Sequence, residues 1–156
     1  MSKRLQSGKE LLEKGQYDKA IQELTIHISS NGNDIQALFL RGIASRKYGK
    51  LDISLLDFDK AIKLAPQMAE LYCERGILYH MMGLGSKAID DMNFAVSLEP
   101  NNPFRYASRA YIRETTKDTK GAIADYQRAI ELDPEDEISL NNIGLLQEKL
   151  GRIKEA

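Results

Sequence analysis

Apolar and polar positions along the chain fall into register when it is cut into blocks of 34 residues: 1–34, 35–68, 69–102, 103–136 and a partial block, 137–156. A small residue stands at the eighth place of every block: Gly8, Gly42, Gly76, Ala110 and Gly144. A second small position recurs at the twentieth place (Ala20, Ser54, Ala88, Ala122, Ala156), and a bulky side chain follows four residues later (Leu24, Phe58, Met92, Tyr126). Alanine returns at Ala61, Ala95 and Ala129, and proline at Pro66, Pro100 and Pro134. A period of this length is that of a helical solenoid.

Each block predicts two helices. Gly15, Gly49, Gly83 and Gly151 suit the left-handed cap of the first, with Lys117 in that place in the fourth block. Pro66, Pro100 and Pro134 bias Ala65, Glu99 and Asp133 out of the helical region and so end the second. Asp34, Asn102 and Asp136 then suit the N-cap of the next block, and Pro103 its first turn. Glycine inside a helix costs ~1 kcal/mol relative to alanine, so the eighth-place glycines require compensation by packing. They mark points where helix axes approach to roughly 8–10 Å.

An internal charge pattern follows the same register. Arg41, Arg75 and Arg109 stand at the seventh place, and Asp57, Asp91 and Asp125 at the twenty-third. A guanidinium beside a tight helix crossing needs a carboxylate, so an Arg–Asp ladder is expected. Spacing leaves open whether each arginine meets the aspartate of its own block or the acid of the preceding one (Glu23, Asp57, Asp91).

The pattern resembles the tetratricopeptide repeat, a 34-residue helix–turn–helix unit. The resemblance covers the whole chain and is carried by Tyr72 and Tyr106, Gly42 and Gly76, Tyr79, Ala88 and Ala122, Phe58 and Tyr126, and the three block-ending prolines. Two departures stand out: Arg4 and His27 make the first block an atypical end unit, and Arg-Gly replaces the usual Leu-Gly of the first helix. The resemblance implies an all-α, right-handed α-α superhelix of antiparallel helix pairs, a single solenoid over residues 1–156. It also implies a concave face lined by the first helices. There the expected partner-binding residues are Phe39, Ile43, Arg46, Cys73, Ile77, His80, Met81, Ser108, Tyr111 and Asn142, with Leu5, Lys9, Leu40, Lys47, Glu70, Glu74, Phe104, Ile138 and Leu145 in neighbouring slots. The carboxylate clamp of chaperone-binding members is missing, because Leu5, Lys9, Leu40, Glu70 and Glu74 occupy its slots.

Composition narrows the function class. The formal net charge is −1 with cations and acids interleaved, which argues against nucleic acid as the partner. No apolar run approaches the length of a bilayer span, and Met1-Ser2-Lys3-Arg4 leads into an amphipathic pattern without a signal-peptide core. The single cysteine, Cys73, precludes an intrachain disulfide and points to a reducing, cytoplasmic compartment. His27 and His80 lack metal-site spacing, and no phosphate-cradling glycine loop occurs, so no catalytic residue, metal or cofactor is expected. Cys73 and His80 are two helical turns apart, too far to form a nucleophile–base pair.

The expected function is therefore a non-catalytic scaffold that holds a peptide or helix of a partner protein in its concave groove. The alternative is a structural or oligomerisation module that works through its ends. Residues 137–150 predict a first helix capped by Gly151, with Arg152 beginning its mate, so Leu140, Ile143 and Leu146 form an apolar edge suited to end-to-end self-association.

Overall fold

The computed structural model describes residues 2–155, which form nine α-helices and no strand among the described residues. They are α1 (Lys3–Glu13), α2 (Tyr17–Ser30), α3 (Ile35–Tyr48), α4 (Leu51–Leu64), α5 (Ala69–Met81), α6 (Gly85–Leu98), α7 (Pro103–Thr115), α8 (Thr119–Leu132) and α9 (Glu137–Glu155). The chain packs as two compact units that divide within α5, Met1–Leu78 and Tyr79–Ala156.

The punctuation expected from sequence sets most helix ends. Gly15, Gly49 and Gly83 take the left-handed conformation (φ +73°, +92° and +76°), and Lys117 adopts it too at φ +66°. Asp34 caps α3 by accepting from the Ala37 amide at 3.1 Å, and Asn102 caps α7 by accepting from the Phe104 amide at 3.0 Å. Helices α4, α6 and α8 stop two residues before Pro66, Pro100 and Pro134. Each tyrosine at the fourth place ties its helix to the preceding turn: Tyr72 donates to the Pro66 carbonyl at 2.9 Å and Tyr106 to the Pro100 carbonyl at 2.8 Å.

One expected boundary is absent. Gly151 does not close a helix; α9 runs through it without a left-handed residue to Glu155. No side chain comes within 4 Å of a β-carbon placed on Gly151, and Arg152 pairs with Glu148 one turn back, as a continuing helix favours.

In the first unit, α1 packs on α2, α2 on α3 and α3 on α4. Leu38, Phe58, Ala61, Leu71 and Leu78 form one core, and Leu5, Leu24, Ala37 and Leu40 another. Here the eighth-place glycines are packing devices. A β-carbon on Gly42 would lie 2.7 Å from Cε1 of Phe58, and one on Gly8 2.6 Å from Cγ of Leu24. In the second unit, α6 packs on α7, α7 on α8 and α8 on α9, around Ala110, Ala122, Tyr126 and Leu146.

Candidate functional site

The first helix of each block carries both the ion-pair ladder and the residues expected to meet a partner. The ladder resolves the alternative that spacing left open. Arg41 donates from Nε and Nη2 to both oxygens of Asp57 in its own block, at 2.8 and 2.7 Å. Arg109 does the same to Asp125, at 2.8 and 2.7 Å. The two carboxylates are buried, and each is neutralised by a planar bidentate partner that fits both oxygens. The Asp125 contact outweighs burial and raises the Arg109 pKa above its ordinary value.

Sequence reasoning missed a second rung partner. The remaining Nη1 group reaches the twenty-fifth place of the preceding block: Arg41 to Thr25 at 3.2 Å, Arg75 to Asp59 at 2.9 Å and Arg109 to Asn93 at 3.1 Å. Polarity is the shared signal there, spread over three residue types. The arginines at 75 and 109 also lie over the rings of Tyr72 and Tyr106, 5.7 Å from each centroid. Asp125 carries one rung more, since Arg113 Nη1 donates to it at 2.8 Å.

The first block substitutes a different device. His27, buried where later blocks have alanine, sits 2.9 Å from Ser2 Oγ through Nδ1 and 2.7 Å from Asp34 Oδ2 through Nε2. A neutral ring that donates from Nε2 to Asp34 leaves Nδ1 to accept from Ser2, so one imidazole joins the N-caps of α1 and α3. Burial pushes the Asp34 carboxyl up, but hydrogen bonds from His27 and from the Ala37 and Gln36 amides outweigh it and hold the group below its ordinary value.

The expected partner-binding residues divide sharply. In the first unit Phe39 is half-buried, its ring 6.5 Å from that of Phe58, and Ile43 packs on the same core. Cys73, Leu5 and Leu40 are buried and present no surface. Arg46 donates to Glu74 at 2.6 Å, so this cation and this acid neutralise each other. Ile77 is half-buried.

In the second unit the first helices leave apolar side chains open. Tyr111 and Phe104 on α7 are 51% and 72% exposed, and Ile138 and Leu145 on α9 are 73% and 58% exposed. His80 meets Tyr111 edge-on at 6.1 Å between centroids, and Met81 beside it is exposed. Ser108 turns its hydroxyl back to the Phe104 carbonyl at 2.7 Å within its own helix, and Asn142 donates to the Tyr126 hydroxyl at 3.3 Å, tying α9 to α8. Burial raises the Tyr126 pKa, with Glu114 adding to it and the Asn142 contact opposing, which leaves that hydroxyl neutral and able to accept.

Among the described residues no group of three or more His, Cys, Asp or Glu is placed to hold a metal ion, and no helix is long and apolar enough to cross a membrane.

Comparison with known proteins places these features. The TPR repeat family matches residues 117–151. Human tetratricopeptide repeat protein 13 is 28% identical over 151 residues, covering 94% of this chain and 17% of its own length. The chain spans about a fifth of the length of the curated relatives it matches. Among solved structures, TTC0263, a thermophilic TPR protein of Thermus thermophilus, superposes with a TM-score of 0.82 at 19% identity, over 92% of this chain and 79% of that one. The first TPR of Spaghetti (RPAP3), bound to the HSP90 peptide SRMEEVD, gives 0.69 at 25% identity, over 75% of this chain and 93% of that one. The likeness to TTC0263 establishes the all-α superhelical repeat fold, and the family match and the named relative agree with it. This chain is similar to proteins built of tetratricopeptide repeats.

Proposed function

We propose that the protein is a non-catalytic interaction scaffold that takes an apolar segment of a partner protein against the first-helix face of its second unit. The observation that carries this reading is the exposure of Phe104 and Tyr111 on α7 and of Ile138 and Leu145 on α9, which occupy equivalent places on successive first helices. Exposed aromatic and aliphatic side chains gathered on one surface are what a partner helix or extended peptide uses as anchor points. Met81 and the His80 ring edge against Tyr111 extend that surface, with Asn142 and Ser108 at its margin. Phe39, Ile43, Arg46, Cys73 and Ile77 act in this reading as the packed support of the first unit. The compartment consistent with one reduced, buried thiol is the cytoplasm.

The peptide bound by the RPAP3 repeat ends in acidic residues and a carboxylate. This chain is proposed not to take such a ligand, because Leu5 and Leu40 are core residues and Glu74 is already matched by Arg46. Affinity capture from a native lysate tests the reading. Wild-type protein is expected to retain a partner that the Phe104→Glu/Tyr111→Glu variant loses, while circular dichroism shows the variant fully helical. Equal capture by both proteins, or tight binding of the SRMEEVD peptide, would overturn it.

A further inference from the structure

On the face that Phe104 and Tyr111 expose, a carboxylate stands without a counterion. Glu114 lies one turn beyond Tyr111 on the same side of α7, exposed and in no ion pair among the described residues. The arginines of this unit are tied elsewhere: Arg109 and Arg113 to Asp125, Arg105 to Glu99, Arg128 to Glu131 and Arg152 to Glu148. The units also differ in sign, since acids outnumber Lys and Arg in residues 79–156 and are outnumbered by them in 1–78. Burial and then the Glu114 charge raise the Tyr126 pKa, which places this carboxylate near the Tyr126 hydroxyl on α8. Asn142 on α9 donates its amide N–H to that hydroxyl at 3.3 Å, which leaves its own carbonyl oxygen to accept. A negative charge, an acceptor oxygen and the half-exposed Tyr111 ring are thus gathered within one unit, with Phe104 about 10 Å from Tyr111 along the helix.

We infer that the partner segment carries an arginine beside its apolar anchor, the guanidinium lying on the Tyr111 ring and donating to the Glu114 carboxylate while the anchor meets Phe104. The inference rests on the reading of this face given above and names the chemistry of what it takes. A purely apolar segment laid over Tyr111 would strip water from Glu114 and leave the charge unpaired, which is costly. An acidic segment would meet a like charge at the same point. Arginine suits the place better than lysine, because its planar group stacks on a ring and donates sideways to a carboxylate at once. The protein already builds this arrangement internally: Arg109 lies over the Tyr106 ring, 5.7 Å from its centroid, while donating to Asp125 at 2.8 Å. A partner arginine at Tyr111 and Glu114 makes the same pair of contacts from outside.

Selection of random dodecapeptides displayed on phage against the 156-residue chain tests the inference, with the Phe104→Glu/Tyr111→Glu variant as counter-selection and circular dichroism to confirm that each variant stays helical. Peptides that bind wild type and not the variant are expected to be enriched in arginine next to apolar residues and depleted in glutamate. For one such peptide, followed by fluorescence anisotropy, replacing its arginine by alanine and Glu114→Gln should each weaken binding about tenfold, without adding when combined. Glu114→Lys should bind the peptide whose arginine is exchanged for glutamate more tightly than the original, a reversal that a merely structural role of Glu114 would not produce. Glu131→Gln, which alters a carboxylate already paired with Arg128, should leave binding unchanged. If no selected peptide is lost with Phe104→Glu/Tyr111→Glu, the reading of the face fails and this inference with it. If peptides are lost with that variant yet show no preference for arginine, or bind Glu114→Gln as tightly as wild type, the face stands and the arginine is overturned.

Discussion

The two units use the faces of their first helices for opposite ends. On the first helices of the first unit, side chains that could meet a partner are spent internally: Arg46 on Glu74, Phe39 and Ile43 on the core around Phe58, and Cys73 and Leu40 in buried packing. In the second unit the place of Ile43 holds Tyr111 and Leu145, and the second place of each block holds Phe104 and Ile138, all exposed. The difference teaches that a repeat register fixes where a side chain sits but not whether it is available. Availability depends on the neighbour, and a charged or bulky neighbour one block away removes it.

The ladder gives the largest expected contrast between the units. Asp57 accepts from one arginine, whereas Asp125 accepts from Arg109 and Arg113 together. Truncation strands a partly buried guanidinium in the first case and two in the second. Asp57→Ala is expected to cost roughly 3 kcal/mol and Asp125→Ala roughly 4 kcal/mol in urea denaturation. Equal costs would show that Arg113 adds nothing to the rung. Next in size comes the contrast of slots. Ile43→Glu should lower stability by about 2 kcal/mol, since it places a charge against the core. Tyr111→Glu, exposed at the same place two blocks later, should stay within about 0.5 kcal/mol of wild type in the same denaturation series. A comparable loss at both positions would dissolve the distinction between packed and available slots.

The eighth-place glycines sharpen the comparison with a change of sign. Gly42→Ala forces a methyl onto the Phe58 ring, which is fully buried, and should destabilise by about 1–3 kcal/mol. Gly144→Ala meets open space within a helix and should stabilise by about 0.5–1 kcal/mol, measured at dilution. Opposite shifts in thermal midpoint for one substitution at one slot are the readout; shifts of the same sign would refute packing as the reason for glycine at the first site.

How much of this was legible follows from what each feature depends on. Helix ends at Gly49, Gly83 and the prolines, and the packing role of Gly42, are local or recur in several blocks, so the sequence acts as its own alignment. The ladder was visible as residue types, but its pairing was not, because Asp57 lies between two arginines in sequence and only the fold decides which one it meets. The Thr25, Asp59 and Asn93 acceptors were hidden by their chemical variety, and the Arg46–Glu74 pair by a 28-residue separation across blocks. Gly151 does not act as a cap, since α9 continues through it as helix, with Arg152 paired to Glu148 one turn back.

The smallest contrast is in acid. Each unit has a carboxylate near a connection between blocks whose pKa is held low: Asp34 as described, and Glu99 through the Arg105 guanidinium at 2.7 Å, opposed by burial and helped by Asn102. A carboxylate with a depressed folded pKa contributes stability that is fully present above its unfolded value, 3.8 for Asp34 and 4.5 for Glu99, and that is lost as pH falls through the folded pKa. Asp34→Asn keeps a capping oxygen but removes the titration, so its urea midpoint should fall less steeply than wild type between about pH 5 and pH 2. Glu99→Gln should flatten the same limb less, because the Glu99 side chain is 40% exposed and its pairing is screened by solvent. If Glu99→Gln flattened the acid limb more than Asp34→Asn, acid sensitivity would reside in the second unit, and the His27-linked caps of the first would be no more than a packing solution.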